Sequence, residues 1–318
     1  MSEIVVATAY GGPEVLAVED LPTPDPGPGE VRIAVRAAGV NPVDYKLYSG
    51  AFGADPANLP MRLGFEAAGV VTAVGADAAG PAGRISLGDE VIAFRAAGAY
   101  AAELVVSGSS VVAKPSTMSW EQAGGLMLTG ATAVHALEAV GLRGSETVLI
   151  HGAAGGVGLT AVQLAVGRGA TVLGTASSGK HDLLRELGAI PVAYGPGLAD
   201  RVRAAAPQGV DAAIDCVGTD EAVDVSLELV RDRSRIATIA AFGRGAKAGI
   251  KLLGAGPGGD PGVQIRNAAR LQLTEAVAAG RLRVFVANTY PLREAATAHR
   301  EVMAGHTTGK IILLPSRV

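Results

Sequence analysis

The apolar run Thr147-Val-Leu-Ile150, the loop His151-Gly-Ala-Ala-Gly-Gly-Val-Gly158 and the run Leu159-Thr-Ala-Val-Gln-Leu-Ala165 follow one another without a break. No other feature of the chain constrains the fold as much. A strand, a glycine turn and a stretch of helical spacing form the opening unit of a doubly wound sheet, and that context turns a glycine pattern into a dinucleotide site. Gly155 lets the backbone approach a pyrophosphate, and Gly158 lets helix and strand pack closely. The helix start offers unpaired N–H groups at the positive end of its dipole. Ala153 stands where the usual G-x-G-x-x-G has its first glycine, so a purely structural turn remains the alternative reading.

On either side of this unit the rhythm differs. Up to about residue 115 the chain reads as β-rich, with strand candidates at 4–7, 31–36, 67–74 and 90–94. The segment Leu21-Pro-Thr-Pro-Asp-Pro-Gly-Pro-Gly29 suits neither a helix nor a central strand. Helical composition begins at Trp120–Leu128 and Ala131–Val140, with Ser119 as an expected N-cap. Strands at 147–150, 171–174, 191–193, 212–215 and 235–240 then alternate with helices at 159–168, 180–187 and 221–230, which is the rhythm of a parallel α/β sheet. A last strand is expected within Gly249–Leu253, a mobile surface loop at Gly254–Gly262 and a helix at Val263–Ala279. The apolar tail Lys310-Ile-Ile-Leu-Leu314 is expected to return to the N-terminal β domain.

With 318 residues the chain has room for about two domains, and 49% hydrophobic against 18% charged residues marks it as globular. A net charge of -3 without a basic cluster argues against nucleic acid or an anionic membrane as main partner. No signal-peptide pattern is seen and no apolar run reaches ~18 residues, so a soluble, cytoplasmic protein is expected. The single cysteine, Cys216, excludes an internal disulfide and reads as a buried small hydrophobe rather than a nucleophile.

The second strand bears on the cofactor. An NAD site usually carries Asp or Glu about 20 residues past the glycines, to hold the ribose 2′-OH. Here Thr171–Thr175 is followed by Ala176-Ser-Ser-Gly-Lys180, and no acid appears before Asp182. Two hydroxyls (Ser177, Ser178) and the Lys180 ammonium suit a 2′-phosphate, hence NADPH. A turn capping the next helix, with Lys180 solvated, is the plainer reading of the same residues, and the two are compatible.

Taken together, Ala37-Ala-Gly-Val-Asn-Pro-Val-Asp44, Gly64-Phe-Glu-Ala-Ala-Gly-Val-Val71, Gly88-Asp-Glu-Val91, Leu128-Thr-Gly-Ala-Thr-Ala133, the 151–158 loop and Thr308-Gly-Lys-Ile-Ile312 resemble the medium-chain dehydrogenase/reductase superfamily, in its zinc-independent quinone oxidoreductase branch. The resemblance covers nearly the whole chain. It implies a GroES-like β-rich catalytic domain of 1–119 and 265–318 and a Rossmann dinucleotide-binding domain of 120–264. Where zinc alcohol dehydrogenases place a ligand cysteine this chain has Asn41, and their Gly-His-Glu is Gly64-Phe65-Glu66. A catalytic zinc needs about three protein ligands, and His135, His151, His181, His299 and His306 have no ligand spacing. No metal site is therefore expected, and Glu66 reads as a buried structural partner.

The same resemblance implies that Asn41 and Thr132 line the nicotinamide end and that Gly155, Gly156 and Val157 take the pyrophosphate. Ser177, Ser178 and Lys180 would take the 2′-phosphate and Tyr194 the adenosine side, with Val217 and Phe242 at strand ends and Lys310 among the cofactor contacts. Plainer readings stand beside these: Asn41 as a turn residue before Pro42, Asp44 as a brace, and Thr132 as a packing hydroxyl. Tyr45 and Tyr48, candidates for the catalytic set, read equally as surface residues of a loop. Without a metal, a simple ketone lacks its strongest Lewis acid, whereas a quinone or α,β-unsaturated carbonyl takes hydride at carbon and spreads charge onto oxygen. The expected activity is NADPH-dependent reduction of a small apolar quinone or enone by a homodimer. Enoyl reduction of thioester-bound chains, or nucleotide binding with little catalysis, are the alternatives.

Overall fold

A computed structural model describes residues 2–316 of the chain, which divide into two compact units. The first takes in 2–128, Arg270–Gly280 and 284–316; the second takes in Thr129–Ala269 and Arg281–Arg283. The boundaries at 128/129 and 269/270 fall inside the helices Met127–Ala139 and Val263–Ala278. The reason lies in tight packing within the first unit. Gly124, in the helix Trp120–Gly124, approaches Ala37 so closely that a Cβ there would stand 2.9 Å from the Ala37 Cβ. Arg270 donates to the Ser109 carbonyl at 2.6 Å. Ser119 caps the helix as expected, its Oγ accepting from the Gln122 N–H.

The first unit is built on a seven-stranded sheet in the order Val111–Ala113, Glu90–Phe94, Glu66–Val74, Glu30–Val40, Lys310–Leu314, Val286–Pro291, with Glu103–Ser107 also paired to Glu30–Val40. The tail strand Lys310–Leu314 does return here, antiparallel to Ala38–Val40. Along Glu30–Val40 burial alternates while one face meets the core through Val31, Ile33 and Val35, and then becomes continuous at Ala37–Val40. Small residues permit that second covering. A Cβ at Gly39 would stand 2.4 Å from Glu66 Oε1 and 2.5 Å from the Gly124 carbonyl, so only glycine lets the helix and the Glu66 carboxylate close over this strand. Pro42–Tyr48 is a helix, not a surface loop: proline suits its first turn, and Asp44 Oδ2 accepts the Asn41 N–H at 2.8 Å.

In the second unit six strands are parallel in the order Ile190–Ala193, Thr171–Ala176, Thr147–His151, Ala212–Asp215, Ile236–Thr238, Lys251–Leu252. This is the doubly wound order of a Rossmann sheet. Its central strands are apolar on both faces, with Leu149, Ile150 and Leu173 without exposed surface, because helices cover both sides. The loops after every strand share one edge of the sheet. The Gly254–Gly262 segment is fastened rather than loose. Gly254 N–H donates to the Asp260 carbonyl, Asp260 N–H to the Leu252 carbonyl, and Asp260 Oδ2 lies 3.1 Å from Nε2 of the buried His135. Among the described residues, no helix is long and apolar enough to cross a membrane.

Candidate active site: a nucleotide cradle and a buried polar cluster

In the second unit the helix Gly156–Gly167 starts from Gly155, an N-cap without a side-chain hydrogen bond, and has no acid in its first turn. Gly156 and Val157 thus open a helix whose first N–H groups have no partner within it. A Cβ at Gly158 would stand 2.3 Å from the Gly152 carbonyl oxygen, so the helix can lie this close to the strand only with glycine there. At Gly155 the nearest atom to a built Cβ is that same oxygen, at 3.4 Å, and the space beyond is open. A cradle of this kind fits a pyrophosphate.

Beside it, Ser177 and Ser178 are exposed and Lys180 half-buried, at the end of the strand Thr171–Ala176. The Ser177 hydroxyl accepts no capping hydrogen bond, while its carbonyl accepts the Lys180 N–H at 2.9 Å and closes the expected turn before the helix His181–Glu186. The nearest acid downstream, Asp182, is paired with Arg185 at 2.6 Å. Tyr194 follows the third strand and is 56% exposed; Val217 follows the fourth and is 49% exposed. Phe242 opens the helix after the fifth and packs beside Gly256. Asp215, fully buried, accepts the N–H groups of Val217 and Gly218 and the Thr238 hydroxyl, while the Thr238 oxygen takes the Ala240 and Ala241 N–H groups. Asp215 and Thr238 thereby shape the two loops that carry Val217 and Phe242. Cys216 is half-buried and burial pushes its thiol up, away from nucleophilic use. Thr132 is buried on the helix Met127–Ala139.

The first unit holds a buried polar cluster. Lys310 Nζ lies 3.1 Å from Glu66 Oε1 and 2.9 Å from the Val40 carbonyl, and also donates to Asn41 Oδ1. Asn41 Nδ2 donates to Glu66 Oε1 at 3.0 Å and to the Gly39 carbonyl at 3.1 Å, and the Leu128 N–H reaches Glu66 Oε2 at 2.8 Å. Asn41 has both amide hydrogens committed to protein acceptors. Lys310 spends its three N–H bonds on protein acceptors as well.

A second chain of hydrogen bonds adjoins the cluster. Tyr100 donates to Asp44 Oδ2 at 2.7 Å, His299 Nε2 lies 3.2 Å from the Tyr100 oxygen, and His299 Nδ1 lies 2.8 Å from the Tyr48 hydroxyl. Tyr48 is therefore a core residue stacked on His299 rather than a surface tyrosine. Tyr45 is half-buried against the same core. Burial raises Asp44 to about 7 despite the Tyr100 and Asn41 donors, and pushes His299 down to about 4. Neither Tyr100, His299 nor Asp215 stood out in the sequence. Only the pairing of distant segments brings them to these positions.

The comparisons with known proteins agree with this architecture. Residues 27–137 match the family model described as alcohol dehydrogenase GroES-like domain, and 187–313 the model described as zinc-binding dehydrogenase. The quinone oxidoreductase of Pseudomonas aeruginosa is 35% identical over 99% of this chain and 100% of its own. A polyketide synthase system protein of Streptomyces orinoci is 36% identical over 97% of this chain, which corresponds to 14% of that much longer protein. A mycobacterial protein solved in complex with NADPH superposes with a TM-score of 0.85 at 32% identity, covering 98% of this chain and 100% of that one.

The zinc in the second model's description can be tested against the side chains present. Glu66 is engaged on both oxygens and neutralised by an ammonium, and Asn41 and Phe65 are not ligands for zinc. Among the described residues, no group of three His, Cys, Asp or Glu side chains is placed to hold a metal. The residues do not fit zinc.

Proposed function

The chain belongs to the medium-chain dehydrogenase/reductase superfamily, in its quinone oxidoreductase branch, and from that premise we propose that it reduces quinones or α,β-unsaturated carbonyls with NADPH and without zinc. One observation carries this reading: Glu66, the residue retained from the Gly-His-Glu segment, is saturated by Lys310, Asn41 and the Leu128 N–H. An acceptor that needs no metal to polarise it suits such a site. When bound, NADPH supplies the hydride.

The chain's own residues have the following parts. Gly155, Gly156 and Val157 offer N–H groups and close backbone approach to the pyrophosphate. Ser177, Ser178 and Lys180 offer two hydroxyls and an ammonium, without a carboxylate, to a 2′-phosphate. Tyr194, Val217 and Phe242 flank the adenosine and nicotinamide ends, and Thr132 stands on the nicotinamide side. Asn41 and Lys310 position the segment before Pro42 instead of touching the reacting atoms, and Tyr45 is left as the tyrosine of that helix with access to substrate. The second-unit sheet ends in the short strand Lys251–Leu252, and a homodimer joined along that edge is part of the proposal.

Enoyl reduction of thioester-bound chains is the second reading, favoured by the likeness to a polyketide synthase protein. NADPH consumption with small quinones and enones, set against acyl thioesters, separates the two. Faster turnover of free quinones supports the first, and turnover confined to thioesters supports the second.

A further inference from the structure

Gly152 is the keystone of the glycine-rich loop. Its backbone is left-handed, at φ +68°, and its carbonyl accepts the Gly155 N–H at 3.1 Å, fixing the residue from which the helix starts. Its own N–H donates to the Thr175 hydroxyl at 3.2 Å. Behind Thr175 lies His151, 1% exposed, with Nδ1 3.4 Å from the Thr175 oxygen and Nε2 3.1 Å from the Ser226 oxygen. The Ser226 proton is committed, because that hydroxyl donates to the Ala222 carbonyl at 2.7 Å. Nε2 must then carry the hydrogen of His151, leaving Nδ1 as a lone pair that faces the Thr175 hydroxyl. The bonds thus run in one direction on each side of the ring, from Nε2 to Ser226 to Ala222, and from Gly152 N–H to Thr175 to Nδ1.

We propose that His151 is a positioning residue for NADPH binding, which as the neutral Nε2–H tautomer orients the Thr175 hydroxyl and through it the Gly152 N–H and the start of the phosphate-facing helix. Burial, opposed by the nearby Asp215 and Glu221, pushes His151 down to about 4, which keeps the ring neutral at ordinary pH. A second ring proton would put a donor opposite the Thr175 hydroxyl and turn that hydroxyl away. The inference rests on the reading of this loop as the pyrophosphate cradle.

The test pairs the NADPH dissociation constant, from fluorescence titration, with thermal melting of the same samples. Thr175→Val keeps the volume and removes the relay, and should weaken NADPH roughly fivefold, while Thr175→Ser stays within about twofold of the parent. His151→Asn, whose Oδ1 can serve as the acceptor that Nδ1 provides, should bind better than His151→Leu, and this pair decides the matter if Thr175→Val does not fold. Substitutions that lower the melting temperature but leave the dissociation constant unchanged would overturn the inference alone. A parent protein that binds no NADPH would overturn the cradle reading and the inference with it.

Discussion

The Lys310 ammonium meets the Glu66 carboxylate at 3.1 Å with the two side chains 5% and 0% exposed. A pair so deeply buried stabilises only while both charges are present, since removing one leaves the other uncompensated in the interior. Glu66→Gln or Lys310→Met should each cost about 3–5 kcal/mol of unfolding free energy, read from denaturant titration. The double variant should recover a large part of that loss. Additive single effects would show that the pair is not coupled.

Acid stability follows from three buried groups with opposite signs. His151 and His299 are both depressed to about 4, from 6.5, so between those values the unfolded chain binds protons that the native chain refuses, and stability falls as the pH falls. Asp44 is raised from 3.8 to about 7. Its contribution is full below the lower value and lost as the pH rises through the upper one, so it works against the histidines. Two groups outweigh one, and melting temperature should drop from about pH 6.5 downward. Asp44→Asn removes the opposing group, and its drop should be steeper than the parent's. A flatter acid profile in the variant would contradict the burial account of Asp44.

Selectivity between cofactors should turn on Lys180, whose ammonium makes no hydrogen bond or ion pair with the described residues. A charge-assisted hydrogen bond contributes about 1.5–3 kcal/mol, so Lys180→Ala should weaken NADPH by roughly tenfold or more while NADH changes little. Dissociation constants for both cofactors decide it. Equal losses would mean that Lys180 does not read the 2′-phosphate.

The Rossmann half was legible because its strands are apolar, separated by glycine and spaced by helices. The strand Ala212–Asp215 falls where expected, and Thr147–His151 and Thr171–Ala176 start where expected. The β-rich half was less so. Leu16–Leu21 carries two acids and lies at a sheet edge, Val111–Ala113 has three residues, and Val286–Pro291 is exposed along much of its length, so neither run length nor alternation announced them. Asn41, Glu66 and Lys310 were each visible as motif residues. Their mutual saturation was not, because it depends on the tail strand pairing with Ala38–Val40, more than two hundred and sixty residues away in sequence. Tyr48 and His299 were opaque for the same reason: a tyrosine after a proline turn reads as surface until a C-terminal helix is placed on it.

The central claim, an NADPH-linked reductase that works without zinc, is tested most directly by turnover of chelator-treated protein whose zinc content has been measured by elemental analysis. The account predicts zinc far below one atom per chain, undiminished NADPH oxidation with quinones or enones, and almost none with isolated ketones. Zinc bound one per chain, with activity that vanishes on chelation and returns with the metal, would contradict it.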